Sequence, residues 1–189
     1  VNSQPNGEIE TTANPYRYYM YPLFQDEANV LTKYLVEKMG YKKIAFLYQN
    51  DSFGKSGLAG CVQRLATYNM KPAETIPVEP TDKDLASQIL RLKSSGAEAV
   101  MMWVSPTLGA IAVKTSANVG FKTQWVSSSG LSDFPLMAKI TGGLWEGVIT
   151  GAFVPPPDST DPLVVKYQKA AQRLTPEERW GVFYMAGIQ

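Results

Sequence analysis

The stretch AEAVMMWVSP, residues 97–106, decides the fold of this chain. Apart from Glu98, its first eight residues form an apolar run, which is typical of a central strand buried on both faces of a parallel sheet. Ser105 follows as a helix N-cap, and Pro106 stands at the first helical position, where proline is favoured. The stretch therefore predicts a buried strand that leads directly into a helix.

The same alternation of strand and helix continues on both sides of this stretch. Apolar residues at helical spacing, such as Leu85, Ile89 and Leu92, separate short apolar runs. We predict strands at residues 43–48, 75–78, 97–104, 122–126 and 145–153. Regular βαβ units with right-handed crossovers make a parallel sheet covered on both faces. The expected fold class is α/β, a three-layer αβα arrangement around a mostly parallel, doubly wound sheet of about five strands.

Two further helix starts can be read from capping residues. Residues 81–84 (TDKD) look like an N-cap followed by acidic residues in the first turn. Asp161-Pro162 caps the last complete helix, which carries Leu163, Tyr167, Ala170 and Leu174 on one side.

Composition excludes several classes of function. The 189 residues include no histidine, which removes Ser-His-Asp and Cys-His catalysis and the commonest metal ligand. The formal net charge is +1, so there is no electrostatic footprint for nucleic acid. Cys61 is the single cysteine and cannot form an internal disulfide, and no apolar stretch reaches the length of a membrane span.

In an open parallel sheet, ligands bind beyond the carboxyl ends of the strands. This rule predicts that a ligand site is formed by four loops: residues 49–54, 105–107, 127–130 and 154–158.

The order of several segments resembles a known family. These segments are NPYRYYMYP (14–22), KKIAFLYQNDSFGKSGL (42–58), TDKDLASQILRLKSSGAEAVMMW (81–103), GFKTQWVSSSGL (120–131) and WEGVITGAFVP (145–155). Their order resembles that of the C-terminal lobe of type I periplasmic solute-binding proteins. The resemblance includes the leucine/isoleucine/valine-binding branch that serves ABC transporters. It implies a protein that captures a small ligand in a cleft between two lobes, without catalysis, cofactor or metal.

The resemblance also implies boundaries and partners. Residues 1–14 would be a linker or remnant of the N-terminal lobe, and residues 15–189 the C-terminal ligand-binding lobe, with a hinge segment at 15–22. The remaining lobe and an ABC transporter permease are the expected protein partners. The expected location is the periplasm or the outside of a bacterial cell, with the signal peptide outside this sequence.

Five candidate ligand contacts come with a structural alternative. Phe53 matches a position that is often an aromatic ligand contact, or it packs over the following helix. Ser105 is near another contact position, or it is only the helix N-cap. Trp103 forms an aromatic wall of the cleft, or it belongs to the sheet core. Arg17 and Tyr18 lie in the hinge segment, where an arginine pairs with a ligand carboxylate or ties the lobes together.

Ser128 and Ser129 complete the candidate site, unless they form a polar turn without a ligand role. In the amino-acid-binding branch a carboxylate of this loop holds the ligand ammonium, and Ser129 stands in its place. A buried ammonium needs a charged partner, whereas serine can donate to a carboxylate. The sequence therefore favours an aromatic or other apolar carboxylic acid over an ordinary amino acid.

Other functions remain open from the sequence. The same fold could be the ligand-sensing ectodomain of a receptor or signalling protein. A small α/β enzyme is a more remote alternative, since a dinucleotide fingerprint and a nucleophile elbow are both missing. The isolated lobe is also expected to self-associate through the partly apolar surface that the other lobe would cover.

Overall fold

A computed structural model describes residues 21–188, apart from the side chains of Phe183 and Ile188. The strands are β1 Ile44–Gln49, β2 Thr75–Val78, β3 Ala99–Trp103, β4 Gln124–Ser127 and β5 Ile149–Thr150. The helices are α1 Phe24–Glu37, α2 Ser52–Ala66, α3 Ala86–Ser94, α4 Pro106–Asn118, α5 Phe134–Thr141, α6 Pro162–Leu174 and α7 Val182–Ile188. A 3₁₀ turn, Ser129–Leu131, follows β4.

The strands form one sheet in the order β2-β1-β3-β4-β5, and every pairing is parallel. From β1 the chain moves outward to β2, then returns to β3 and proceeds to β4 and β5 in the opposite direction. This reversal makes β1 and β3 the topological switch point of a doubly wound sheet. The predicted α/β class and the count of about five strands are confirmed.

Helices cover both faces of the sheet, and β3 contributes to both cores. Val100 and Met102 pack with α3, α4 and α5, whereas Met101 and Trp103 pack with α1 and α2. All five residues of β3 are buried, because side chains alternate between faces and both faces are covered. This burial accounts for the apolar run in the sequence.

Most predicted element boundaries shift by one or two residues, and two are corrected by more. The strand predicted at residues 145–153 is reduced to Ile149–Thr150, because the chain first makes tight turns in which the N–H of Val148 donates to the carbonyl of Trp145. The helix predicted from residues 81–84 begins instead at Ala86. Asp84 contributes to that start, since its carboxylate accepts the N–H of Ala86 at 2.8 Å.

A small apolar cluster lies beside the two main cores. It is formed by Val154, Val164, Val182 and Met185, with Phe153 and Trp180 packed against it. The indole N–H of Trp180 donates to the carbonyl of Pro157 at 2.8 Å. The cluster joins α6 to α7 and does not share the cores of the sheet.

Candidate functional site

The loops that follow β1, β3 and β4 meet at one edge of the sheet, because these three strands are neighbours. Gln49, at the end of β1, links two of the loops directly. Its side-chain oxygen accepts the N–H of Ser105 at 3.3 Å, and its side-chain nitrogen donates to the carboxylate of Asp51. The candidate site is therefore held together across the switch point of the sheet.

Asp51 and Ser105 each cap the helix that starts at this edge. The Asp51 carboxylate accepts the N–H of Gly54 at 3.0 Å, and the Ser105 hydroxyl accepts the N–H of Leu108 at 3.4 Å. The capping alternative for Ser105 is thus present in the structure, and its ligand role stays a prediction. Gln49 and Asp51 were not singled out from the sequence, although Asp51 shows the ordinary signal of a helix N-cap.

Phe53 is half-buried at the first turn of α2. Its ring meets the ring of Phe24 edge to face, with centroids 4.6 Å apart, so it packs between the N-terminal ends of α1 and α2. Phe53 therefore has a packing role, and part of the residue stays exposed to solvent. Its contact with a ligand stays a prediction.

Trp103 lies in the core. It is fully buried, stacks on Phe46 with centroids 5.5 Å apart, and has an indole N–H without a partner among the described residues. Gly57 makes this position possible, since a Cβ at residue 57 would collide with the indole ring. The placement matches the core alternative, and Trp103 forms no exposed wall of the candidate site.

The loop after β4 buries its serines. Ser127 and Ser128 are fully buried, and within residues 21–188 their hydroxyls meet no hydrogen-bond partner. The carbonyl of Ser128 accepts the hydroxyl of Thr150 at 3.0 Å, which joins the loop to β5. Ser128 thus brings to the edge of the sheet a buried hydroxyl that has no partner in the described part of the chain.

Ser129 is hydrogen-bonded to the carboxylate of Glu27, a residue that the sequence did not single out. The backbone N–H of Ser129 donates to Glu27 Oε1 at 2.5 Å, and its hydroxyl donates to Oε2 at 2.9 Å. Gly151 gives the carboxylate room, because a Cβ there would collide with Oε1. Glu27 lies in the first turn of α1, where acidic residues commonly stabilise the start of a helix. The loop itself contains no Asp or Glu, but α1 places a carboxylate directly against Ser129.

The carboxylate of Glu27 borders a cavity of about 220 Å³. The walls are mostly apolar and include Val30, Leu31 and Phe153, and Asp26 adds a second carboxylate at the rim. The described lining residues are Pro22, Asp26, Glu27, Val30, Leu31, Ser129, Gly151, Ala152 and Phe153.

Asp133 is a second carboxylate that the sequence did not single out. It is almost fully buried and accepts both terminal nitrogens of Arg179, at 2.7 and 2.5 Å. It also accepts the N–H of Leu136 at 3.1 Å and so caps α5. The ion pair joins the segment after β4 to the start of α7.

The thiol of Cys61 is buried and shows no sign of activation as a nucleophile. Burial raises the pKa of Cys61 to about 12, so the thiol stays protonated at neutral pH. Across residues 21–188, no three His, Cys, Asp or Glu side chains cluster as metal ligands would. Nor does any helix in that range have the length and apolar character needed to cross a bilayer.

Two candidate contacts, Arg17 and Tyr18, lie outside the described residues. The structure therefore brings together the loops that contain Phe53, Ser105, Ser128 and Ser129. Trp103 is fully buried in the core of the sheet.

Comparison with known proteins agrees with this geometry. The chain is 29% identical over 144 residues to the Leu/Ile/Val-binding protein of Citrobacter freundii, covering 74% of this chain and 38% of that protein. A substrate-binding periplasmic protein from Ralstonia solanacearum superposes with a TM-score of 0.83 at 17% identity, covering 93% of this chain and 50% of that one. A fatty acid ABC transporter substrate-binding protein from Thermomonospora curvata has a TM-score of 0.72 at 20% identity, covering 82% and 40%.

The chain thus spans half or less of the length of these relatives. The sequence model of one family, described as periplasmic binding protein, matches residues 1–189. The match extends over the whole chain, and the fold and the edge of loops agree with it. This chain belongs to the periplasmic binding protein family.

Proposed function

We propose that this chain is one lobe of the substrate-binding component of an ABC-type importer, which captures a small organic solute and does not transform it. The observation that carries the proposal is the edge of loops at the β1–β3 switch point, joined by Gln49 and bordered by Ser128 and Ser129. Doubly wound sheets bind ligands at this edge. A second lobe would close over it by a hinge motion.

The chemistry of the edge favours an amino-acid-like solute with an apolar body. Both donors of Ser129 are engaged by Glu27, so Ser129 has no second N–H or O–H to offer a ligand carboxylate. The oriented carboxylate of Glu27 provides the counter-charge that an ammonium group needs when a closing cleft removes water. Phe53 and the apolar cavity walls suit an apolar side chain.

Among the relatives, one is named for leucine, isoleucine and valine and another for fatty acid. Both ligand types have an apolar body and a carboxylate, and only the amino acids add an ammonium group. The aromatic or apolar carboxylate therefore stays as the competing ligand class. The periplasm or the cell exterior is the proposed location, and a permease the proposed partner.

The test is a calorimetric titration with a polypeptide that also contains the second lobe. The panel is leucine, valine and phenylalanine against benzoate and a medium-chain fatty acid. We expect saturable binding of at least one amino acid and no conversion of it. Binding of the acids without the amino acids would overturn the ligand class, and turnover of any ligand would overturn the binding function.

Two glutamates provide a matched pair of variants. Glu27→Gln keeps the shape of the side chain but removes the charge next to Ser129, so amino-acid affinity should fall by about 10- to 100-fold. Glu146→Gln removes an exposed charge in the turns before β5, outside the cavity, and should change the affinity by less than about threefold. Equal losses in both variants would contradict a specific role for Glu27.

A further inference from the structure

The chain leaves the sheet towards opposite faces on the two sides of the switch point. After β1 it enters α2, whose Cys61 and Leu65 belong to the core on one face. After β3 it enters α4, whose Leu108 and Ala112 belong to the core on the other face. Because β1 and β3 are neighbours, the loops after them start side by side and then diverge. Open parallel sheets bind ligands in a crevice of this kind.

The side chain of Gln49 connects the two diverging loops. Tyr48 pairs with Trp103, the last residue of β3, so Gln49 lies one residue beyond the paired part of the two strands. Its Oε1 accepts the N–H of Ser105 at 3.3 Å, and its Nε2 donates to Oδ2 of Asp51. One amide group therefore engages the start of α4 on one side and the start of α2 on the other.

Both partners of the Gln49 amide are helix N-caps. The second oxygen of Asp51 accepts the N–H of Gly54 at 3.0 Å, and the hydroxyl of Ser105 accepts the N–H of Leu108 at 3.4 Å. A Cβ at residue 54 would collide with the carbonyl oxygen of Gln49, so the first turn of α2 also rests on the Gln49 backbone. A displacement of Gln49 would thus reach the caps of both helices.

A second glutamine forms a comparable bridge at the opposite end of the sheet. Gln124, the first residue of β4, donates through Nε2 to the carbonyls of Trp125 and Gly147, at 2.9 and 2.8 Å. Both glutamines are half-buried, and each joins segments that are more than 20 residues apart in sequence. Gln124 therefore offers a matched control for the loss of a bridging amide away from the loops of the candidate site.

We propose that Gln49 is a positioning residue for solute binding, which holds the loops after β1 and β3 at a fixed separation so that both face the solute together. The inference rests on the proposed function, because it assigns a role within the binding edge. Without the amide the two loops fluctuate independently, and the solute has to order them when it binds. This ordering lowers the affinity even where the contacts with the solute stay the same.

The first test compares Gln49→Met with Gln124→Met in the two-lobed polypeptide used for the titration. Methionine is close to glutamine in length but has no amide, so each variant loses one bridge. Gln49→Met should weaken the binding of the best amino acid by about 5- to 20-fold, and Gln124→Met by less than about twofold. Gln49→Ala removes the amide without filling the crevice and should also lose affinity, which keeps the test decisive if methionine fits poorly.

The second test is hydrogen–deuterium exchange of the same variants without solute. In Gln49→Met, residues 51–55 and 105–109 should exchange about threefold faster than in the parent, because the caps of both helices are loosened. In Gln124→Met, faster exchange should be confined to the segment around residues 145–149. A role in stability alone would lower the melting temperature and leave the affinity of the folded protein unchanged.

Unchanged affinity in both Gln49 variants, or equal losses in Gln49→Met and Gln124→Met, would overturn the proposal and leave the proposed function standing. Lower affinity without faster exchange of the two loops would also overturn it, in favour of direct contact between Gln49 and the solute. If the parent binds no solute of the panel, the proposed function itself fails, and the positioning role fails with it.

Discussion

At the residue scale, three carboxylates show how position decides the role of a charge. Glu27 is oriented by two donors of Ser129, Asp133 is buried against Arg179, and Glu98 accepts backbone N–H groups at the surface. Only the first borders the edge where a solute would bind. The other two carboxylates stabilise the fold.

Removing Arg179 should be costly because Asp133 would remain buried with an uncompensated charge. We expect Arg179→Gln to lower the free energy of unfolding by about 2 kcal/mol. The control is Arg91→Gln, which breaks a mostly exposed pair with Glu74 at 3.2 Å and should cost less than about 1 kcal/mol. Urea unfolding measures both. Equal costs would mean that the Arg179–Asp133 pair is only a surface contact.

The surface carboxylate of Glu98 should give a pH-dependent contribution to stability. Hydrogen bonds from the backbone N–H groups of Lys43 and Lys42 lower the pKa of Glu98 below its usual value. A lowered folded-state pKa stabilises the fold above the unfolded pKa, and this stabilisation is lost as pH falls through the folded pKa.

The melting temperatures of the parent and of Glu98→Gln should therefore differ at pH 7 and converge as the pH falls below about 4. Glu146→Gln, at another exposed position, is the control. A difference that stays constant from pH 7 to pH 3 would contradict the role of the charge.

At the scale of elements, the sequence predicts what local pattern determines. The apolar run at residues 97–104 predicts β3, which spans Ala99–Trp103, and the caps at Ser105 and Asp161 predict the starts of α4 and α6. The strand at 145–153 fails because apolar residues also fill turns that pack on the core, as Trp145 does. The Glu27–Ser129 contact joins residues 102 positions apart, and no local signal reveals such a pair.

The packing of α2 on the sheet depends on close approach at Gly57. Gly57→Ala should lower the free energy of unfolding by about 1–2 kcal/mol, because the clash with the buried ring of Trp103 outweighs the gain in helix propensity. Gly187→Ala in α7 meets no atom nearby and should be neutral or slightly stabilising. Thermal unfolding that ranks the two variants in the opposite order would contradict this packing.

At the scale of the whole molecule, residues 21–188 form a doubly wound sheet with an edge of loops at its switch point and a small apolar cluster that joins α6 to α7. Repeated βαβ units made the fold class predictable from the sequence. The proposed ligand class was not predictable from the sequence, because it rests on Glu27, which reaches Ser129 from another element.

The footprint of a bound solute tests the proposed binding edge most directly. Hydrogen–deuterium exchange is measured with and without saturating ligand, using the polypeptide that contains both lobes and the amino acid that binds best in the titration. We predict slower exchange in residues 49–54, 105–108 and 128–131, at the ends of β1, β3 and β4. Slower exchange confined to α6 and α7, with these three loops unchanged, would contradict it.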